Sequence, residues 1–266
     1  MLALHGGMGG HDQSWLLARA LLADVENYRV IAVSRPGYLE TSLSVGSSPQ
    51  EQADMYADLL DALQIPAAIV AAVSAGGPSA IQFAVRHPTR CRALVMVSTC
   101  SGHLETPPRI AARLHLMKVL SLIPGLAALM RRRMRQNPDA AAQRAIPDPA
   151  LRRRTLAHPV ASPLLKALQL SVFDRLRKRL PGTINDTALF SRLNDLPLDE
   201  ITAPVLVVHG RADSVVPFSH AEAIVQRAPR AEMLAVEEGE HVVLFTHLDA
   251  VRAATARFVQ THLPKS

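Results

Sequence analysis

The chain has little of what would staple it, anchor it or chelate a metal. Only two of its 266 residues are cysteine, Cys91 and Cys100. They bracket one apolar stretch and would stand at opposite ends of a strand, so no disulfide is expected and reduced thiols suit a cytoplasmic protein. No run of about 18 uninterrupted apolar residues occurs, which excludes an expected membrane-spanning helix. The start, Met1-Leu2-Ala3-Leu4-His5, shows neither a basic leader nor a cleavage site, again arguing against secretion. No histidine–carboxylate cluster has metal-ligand spacing, so neither metal nor cofactor is expected. Aromatic residues make up 4% of the chain and do not interleave with basic ones. Nucleic-acid binding is therefore not expected, although the net charge is +6.

What is present is apolar and unevenly charged. Hydrophobic residues make up 48% and charged residues 20%, the balance of a globular chain able to bury one substantial core. Between His103 and Phe190 there are 16 Lys/Arg against 5 Asp/Glu, a balance of +11; the remainder holds 13 against 18, a balance of −5. A basic segment inside an acidic body reads as the solvated outer faces of helices. Steering of anionic substrates and contact with a membrane surface are the alternatives.

Short apolar runs recur at Met1–Leu4, Arg29–Val33, Ala67–Val73, Ala93–Ser98, Pro204–His209 and Glu232–Val236. Most are continuous rather than alternating, as in strands buried on both faces of a parallel sheet. Helical spacing fills Ser14–Ala23, Pro49–Leu63, Gly77–His87, Ser219–Arg227 and Asp249–His262 between them. Strand and helix in alternation predict an α/β fold with a mostly parallel sheet of about six strands. The alternation stops after Ser98. From Leu104 to about Arg192 the pattern is helical and interrupted by nine prolines, Pro107 to Pro181, which predicts several short helices capping the sheet's carboxyl edge. The expected organisation is a core over 1–102 and 193–266 with an inserted helical cap over 103–192.

Ala72-Val73-Ser74-Ala75-Gly76 follows the third apolar run and leads into a helical stretch. Small residues on both sides of Ser74 allow a bend tight enough to expose its hydroxyl, the arrangement a nucleophilic serine needs. The usual pattern is G-x-S-x-G; here Ala72 stands at the first glycine. The glycine-rich turn His5-Gly6-Gly7-Met8-Gly9-Gly10 follows the first strand and matches no phosphate-binding fingerprint. Beside a serine elbow its backbone N–H groups would stabilise an oxyanion, Gly7 first with Met8 as the alternative, together with Ala75. Asp213 lies just past the strand ending at His209, where functional groups of open α/β sheets collect, whereas Thr99-Cys100-Ser101 offers no carboxylate. Of 11 histidines, His241 follows the last strand and completes the order Ser, Asp, His; His11 and His220 remain its rivals.

These residues resemble the α/β-hydrolase superfamily from Leu2 to His262. The resemblance rests on His5-Gly6-Gly7, Arg35-Pro36-Gly37-Tyr38, the Ser74 elbow, His209-Gly210 through Asp213 to Val216-Pro217, and Gly239-Glu240-His241. In that family the Arg-Pro-Gly-Tyr run usually continues with glycine, where this chain has Leu39. Two further strands usually precede the oxyanion strand. Here either the sheet is reduced to six strands or an upstream segment is missing. The resemblance implies a catalytic triad of Ser74, Asp213 and His241. It implies a serine hydrolase that cleaves a carboxylic ester or related acyl bond of a small to medium, largely apolar substrate. A serine rather than an aspartate at the elbow disfavours dehalogenase and epoxide-hydrolase chemistry. The alternatives are a carbon–carbon hydrolase of a diketone acid, with basic cap residues holding its carboxylate, and a non-catalytic ligand-binding member of the same fold.

Overall fold

Apolar runs with helices on both sides satisfy their backbone N–H and C=O groups only by pairing with one another. The computed structural model, which describes residues 1–263, shows this pairing. Strands β1 (Leu2–Leu4), β2 (Ile31–Val33), β3 (Ala68–Val73), β4 (Cys91–Val97), β5 (Val205–Gly210) and β6 (Ala231–Val236) form one sheet. Its order is β2-β1-β3-β4-β5-β6, and every neighbouring pair is parallel. Each strand lies within two residues of its expected position. β2 starts two residues later than expected, and β4 two residues earlier, at Cys91, because the exposed Arg92 interrupts the apolar pattern there. Cys91 and Cys100 are both buried and free. Burial pushes their thiols up, to about 12 and about 11.

Alternate residues of each strand face opposite layers. Ala3, Ala71, Val95, Val97, Leu206 and Val208 face a cluster that includes helices α1 (His11–Leu21) and α12 (Leu248–His262). Leu4, Val70, Ala72, Leu94, Met96 and Val207 face α2 (Pro49–Ala62), α3 (Gly77–Arg86) and α10 (Ser219–Arg227). The chain leaves β1 toward β2 on one side and then places β3 on the other. The strand order therefore reverses between β1 and β3, where ligands of open α/β sheets bind beyond the strands' carboxyl ends. Both the glycine-rich turn and Ser74 stand at this reversal.

Between β4 and β5 the chain forms α4 (Pro108–Leu120), α5 (Leu126–Gln136), α6 (Pro138–Gln143), α7 (Pro149–Ala157), α8 (Ala161–Ser171) and α9 (Leu180–Phe190). Several prolines here start helices rather than break them. Pro108, Pro138, Pro149 and Pro181 occupy first-turn positions, where a missing N–H costs nothing. The inserted helices share the main core: Ile146, Leu151, Leu164 and Leu165 belong to the same cluster as Leu17 and Phe258. Of the helices among the described residues, none is long and apolar enough to cross a membrane.

A buried ion pair ties α9 to the loop after β2. Arg35 Nη1 donates to Asp186 Oδ1 at 3.2 Å, and Tyr38 Oη donates to Asp186 Oδ2 at 2.6 Å. Burial opposes charge on Arg35, but Asp186 outweighs it and holds the guanidinium firmly protonated. Asp186→Ala would leave that cation buried without a partner. The expected cost is about 3–5 kcal/mol, read as a lower urea midpoint at unchanged slope. A loss below about 1 kcal/mol would show that water replaces the carboxylate. Leu39, which stands where the family has glycine, adopts φ 53°. Its N–H donates to Lys178 O at 2.6 Å, so contact with the insertion holds a left-handed conformation that glycine would adopt without strain.

Candidate active site

Ser74 follows β3 directly at φ 52°, a left-handed conformation that costs a non-glycine residue roughly 1–2 kcal/mol. One tight turn, Ser74–Gly76, then leads into α3. The bend requires glycine at position 76, where a Cβ would stand 2.8 Å from Leu4 O and 3.0 Å from His5 O. Position 72 tolerates alanine because its methyl lies in the layer containing Leu4 and Met96. Their packing supports the elbow in its strained form.

The structure brings Ser74, His241 and Asp213 together. His241, in the loop between β6 and α11 (Val243–Thr246), places Nε2 3.0 Å from Ser74 Oγ and Nδ1 2.8 Å from Asp213 Oδ2. The other oxygen of Asp213 accepts two backbone N–H bonds, from Val215 and Val216, both at 2.9 Å. Burial alone would raise the Asp213 pKa. Hydrogen bonds from His209 and His241, the charge on His241 and the Val216 N–H outweigh it, holding the carboxyl well below the usual carboxylate range. An ionised, fully accepting Asp213 leaves the proton on His241 Nδ1 and a lone pair on Nε2, facing the serine. His11 and His220 lie elsewhere: His11 Nδ1 meets Ser34 Oγ, and His220 Nδ1 accepts from the Ser101 N–H.

One contributor escaped the sequence reading. His209, fully buried at the end of β5, directs Nε2 to Val216 O at 3.0 Å and to Asp213 Oδ2 at 3.3 Å. Its sequence signals were a place at a strand end four residues before Asp213 and the His209-Gly210 pair on which the resemblance partly rests.

The glycine-rich turn is held from behind. Arg35 N–H donates to His5 Nε2 at 2.9 Å, and His5 Nδ1 is 2.7 Å from Gly6 O. Burial first, then the charge of Arg35, keep this imidazole neutral, so Nδ1 is the donor. A trans peptide points its C=O and N–H in opposite directions. Holding Gly6 O toward His5 therefore turns the Gly7 N–H away from that ring. The Met8 N–H is occupied by Thr183 Oγ1 of α9 at 2.9 Å, which leaves Gly7 as the better placed of the two candidate donors. Arg179, also from the insertion, holds Asp12 just beyond the turn, with Nη2–Oδ2 2.6 Å.

Two cavities meet at Ser74. The smaller, about 130 Å³, is lined by Ala75, Cys100, Leu104 and Phe190; the larger, about 390 Å³, by His241, Met117, Leu168 and Phe173. Gly7, Ser74 and Thr183 border both. Among the described residues, no group of three or more His, Cys, Asp or Glu is arranged to hold a metal ion.

Known proteins repeat this architecture. An alpha/beta hydrolase fold protein from Nakamurella multipartita superposes with a TM-score of 0.84 at 33% identity, over 97% of this chain and 91% of its own. The poly(3-hydroxyalkanoate) depolymerase of Ectopseudomonas oleovorans is 27% identical over 97% of this chain and 84% of its own length. The uncharacterized hydrolase YcgS of Bacillus subtilis is 37% identical over 40% of this chain and 37% of its own. The chain spans less than two thirds of the length of the first curated relatives it matches. The family described as alpha/beta hydrolase fold matches residues 1–248, and the chain belongs to that family.

Proposed function

We propose that this hydrolase-family chain is a serine hydrolase that cleaves a carboxylic ester, or a related acyl bond, through an acyl-enzyme. The unbroken hydrogen-bond chain from Ser74 through His241 to Asp213, beside an apolar cavity, carries this reading. Ser74 Oγ attacks the carbonyl carbon while His241 Nε2 takes its proton. Asp213 holds the imidazole tautomer and stabilises the imidazolium. The Gly7 and Ala75 N–H groups receive the oxyanion, a contribution of roughly 3–4 kcal/mol per donor in such sites. His241 then gives its proton to the leaving oxygen, and water repeats the sequence on the acyl-enzyme. The inserted helices act as the cap. Their leucines and methionines form an adaptable apolar wall suited to a small or medium substrate.

A fluorophosphonate probe tests the nucleophile directly. The expected result is one label per chain, on Ser74, with turnover of p-nitrophenyl esters in the same preparation. A folded protein that neither takes the label nor cleaves any ester in a graded series would overturn the reading in favour of a binding module.

A further inference from the structure

The arginines of the insertion fall into distinct groups. Arg131, Arg152, Arg175 and Arg179 pair with Asp174, Asp139, Glu40 and Asp12. Arg113 of α4 and Arg144 at the end of α6 differ from these. Both line the larger cavity, and neither side chain has an ion-pair or hydrogen-bond partner among the described residues. Arg113 is exposed to solvent on one side; partial desolvation on the other first, and then the nearby charge of Arg144, make it easier to deprotonate than an ordinary arginine, so the two cations act on one another. Around them the wall is mainly apolar, with Leu114, Met117 and Leu168; the one carboxylate among its described residues, Glu240, is sequence neighbour to His241. Both residues are solvent-exposed as well as bordering the cavity, so water solvates their guanidinium groups until a bound oxyanion takes its place.

The two cavities also differ in what they can do. His241 lines the larger and not the smaller, whereas Ala75 lines the smaller and not the larger. In the acylation step the Ser74 Oγ–carbon bond forms, the carbon–oxygen bond to the alcohol breaks, and the serine proton passes through His241 to the departing oxygen. The departing alcohol must therefore stand on the His241 side.

We propose that the larger cavity is a leaving-group site for an alcohol whose apolar chain ends in a carboxylate or phosphate held by Arg113 and Arg144, while a short acyl group occupies the smaller cavity. This rests on the serine-hydrolase reading above and adds the substrate class. Hydrolysis then releases a short carboxylic acid and an anionic hydroxy compound.

Matched substrates test it: 6- and 10-carbon ω-acetoxy carboxylates against their neutral ω-acetoxy amides. Wild type should favour at least one of the carboxylates by about tenfold or more in kcat/KM, mainly through KM, and the advantage should shrink in 1 M salt. In the R113Q/R144Q double variant the ratio should fall toward one. Methyl monoesters of dicarboxylic acids, which put the charge on the acyl side, should show no such preference; an equal preference there would overturn the side assignment. Calorimetry of 10-hydroxydecanoate against 10-hydroxydecanamide on the Ser74→Ala protein gives a readout without turnover. The acid should bind more tightly there, and not when R113Q and R144Q are added. Ester turnover with no anionic preference, and no difference in binding, would overturn the proposal and leave the hydrolase reading standing. Preferential binding without any ester turnover would overturn the hydrolase reading and the leaving-group role with it, and leave only an anion-binding cavity.

Discussion

Replacing Ser74 with alanine should leave a folded protein whose kcat/KM for a p-nitrophenyl ester falls by about 10⁴-fold or more. That corresponds to roughly 5.5 kcal/mol of lost transition-state stabilisation. The oxyanion donors and the cavities survive the substitution, so the residual rate should still exceed that of water. Stability should hardly change, because alanine and serine bear a similar strain at φ 52° and only the Oγ bond to His241 is lost. Active-site titration and urea unfolding on the same sample separate the two effects. Turnover by pure Ser74→Ala protein within tenfold of wild type would remove the serine from its assigned role.

Asp213→Asn should be nearly as damaging, by about 10⁴-fold in kcat, for a reason the geometry makes explicit. One carboxylate oxygen faces two backbone N–H donors, Val215 and Val216. An asparagine there keeps its carbonyl toward them, so its NH₂ faces His241 Nδ1. The histidine must then accept at Nδ1 and carry its proton on Nε2, where it cannot take the proton from Ser74. His241→Ala should match this loss by removing the base altogether, and combining it with Ser74→Ala should add little, because the two act as one unit. Near wild-type turnover in His241→Ala would transfer the base to another histidine. His220 and His11, the rivals on sequence grounds, are engaged with Ser101 and Ser34.

Much of this architecture was legible because its signals are local. Continuous apolar runs bounded by turn residues can be satisfied only as buried strands, so β1 to β6 were locatable from composition over four to seven residues. The small residues around Ser74 declare a bend that bulky ones would block. Proline was harder to read: Pro108, Pro138, Pro149 and Pro181 looked like interruptions, but first-turn geometry makes them starts. Leu39 marked a departure from the family in sequence. Only its left-handed backbone and its bond to Lys178 show what the departure costs and what sustains it.

By itself the sequence determined the class of fold and the order of strands and helices along the chain, and it singled out Ser74, Asp213 and His241 as candidates with His11 and His220 as rivals, since periodicity, turn chemistry and chain order are properties of neighbours. Tertiary structure alone decided which distant groups meet. It set Thr183 on the Met8 N–H, which favours Gly7 as the free donor, and placed His209 against Asp213. It also buried Arg35 against Asp186, 151 residues away, and set Arg113 and Arg144 on one cavity wall with no side-chain partner among the described residues. The physical reason is that hydrogen bonds and Coulomb interactions act over a few ångströms of space, whatever the separation along the chain. Only the folded path of the insertion brings these groups within that range.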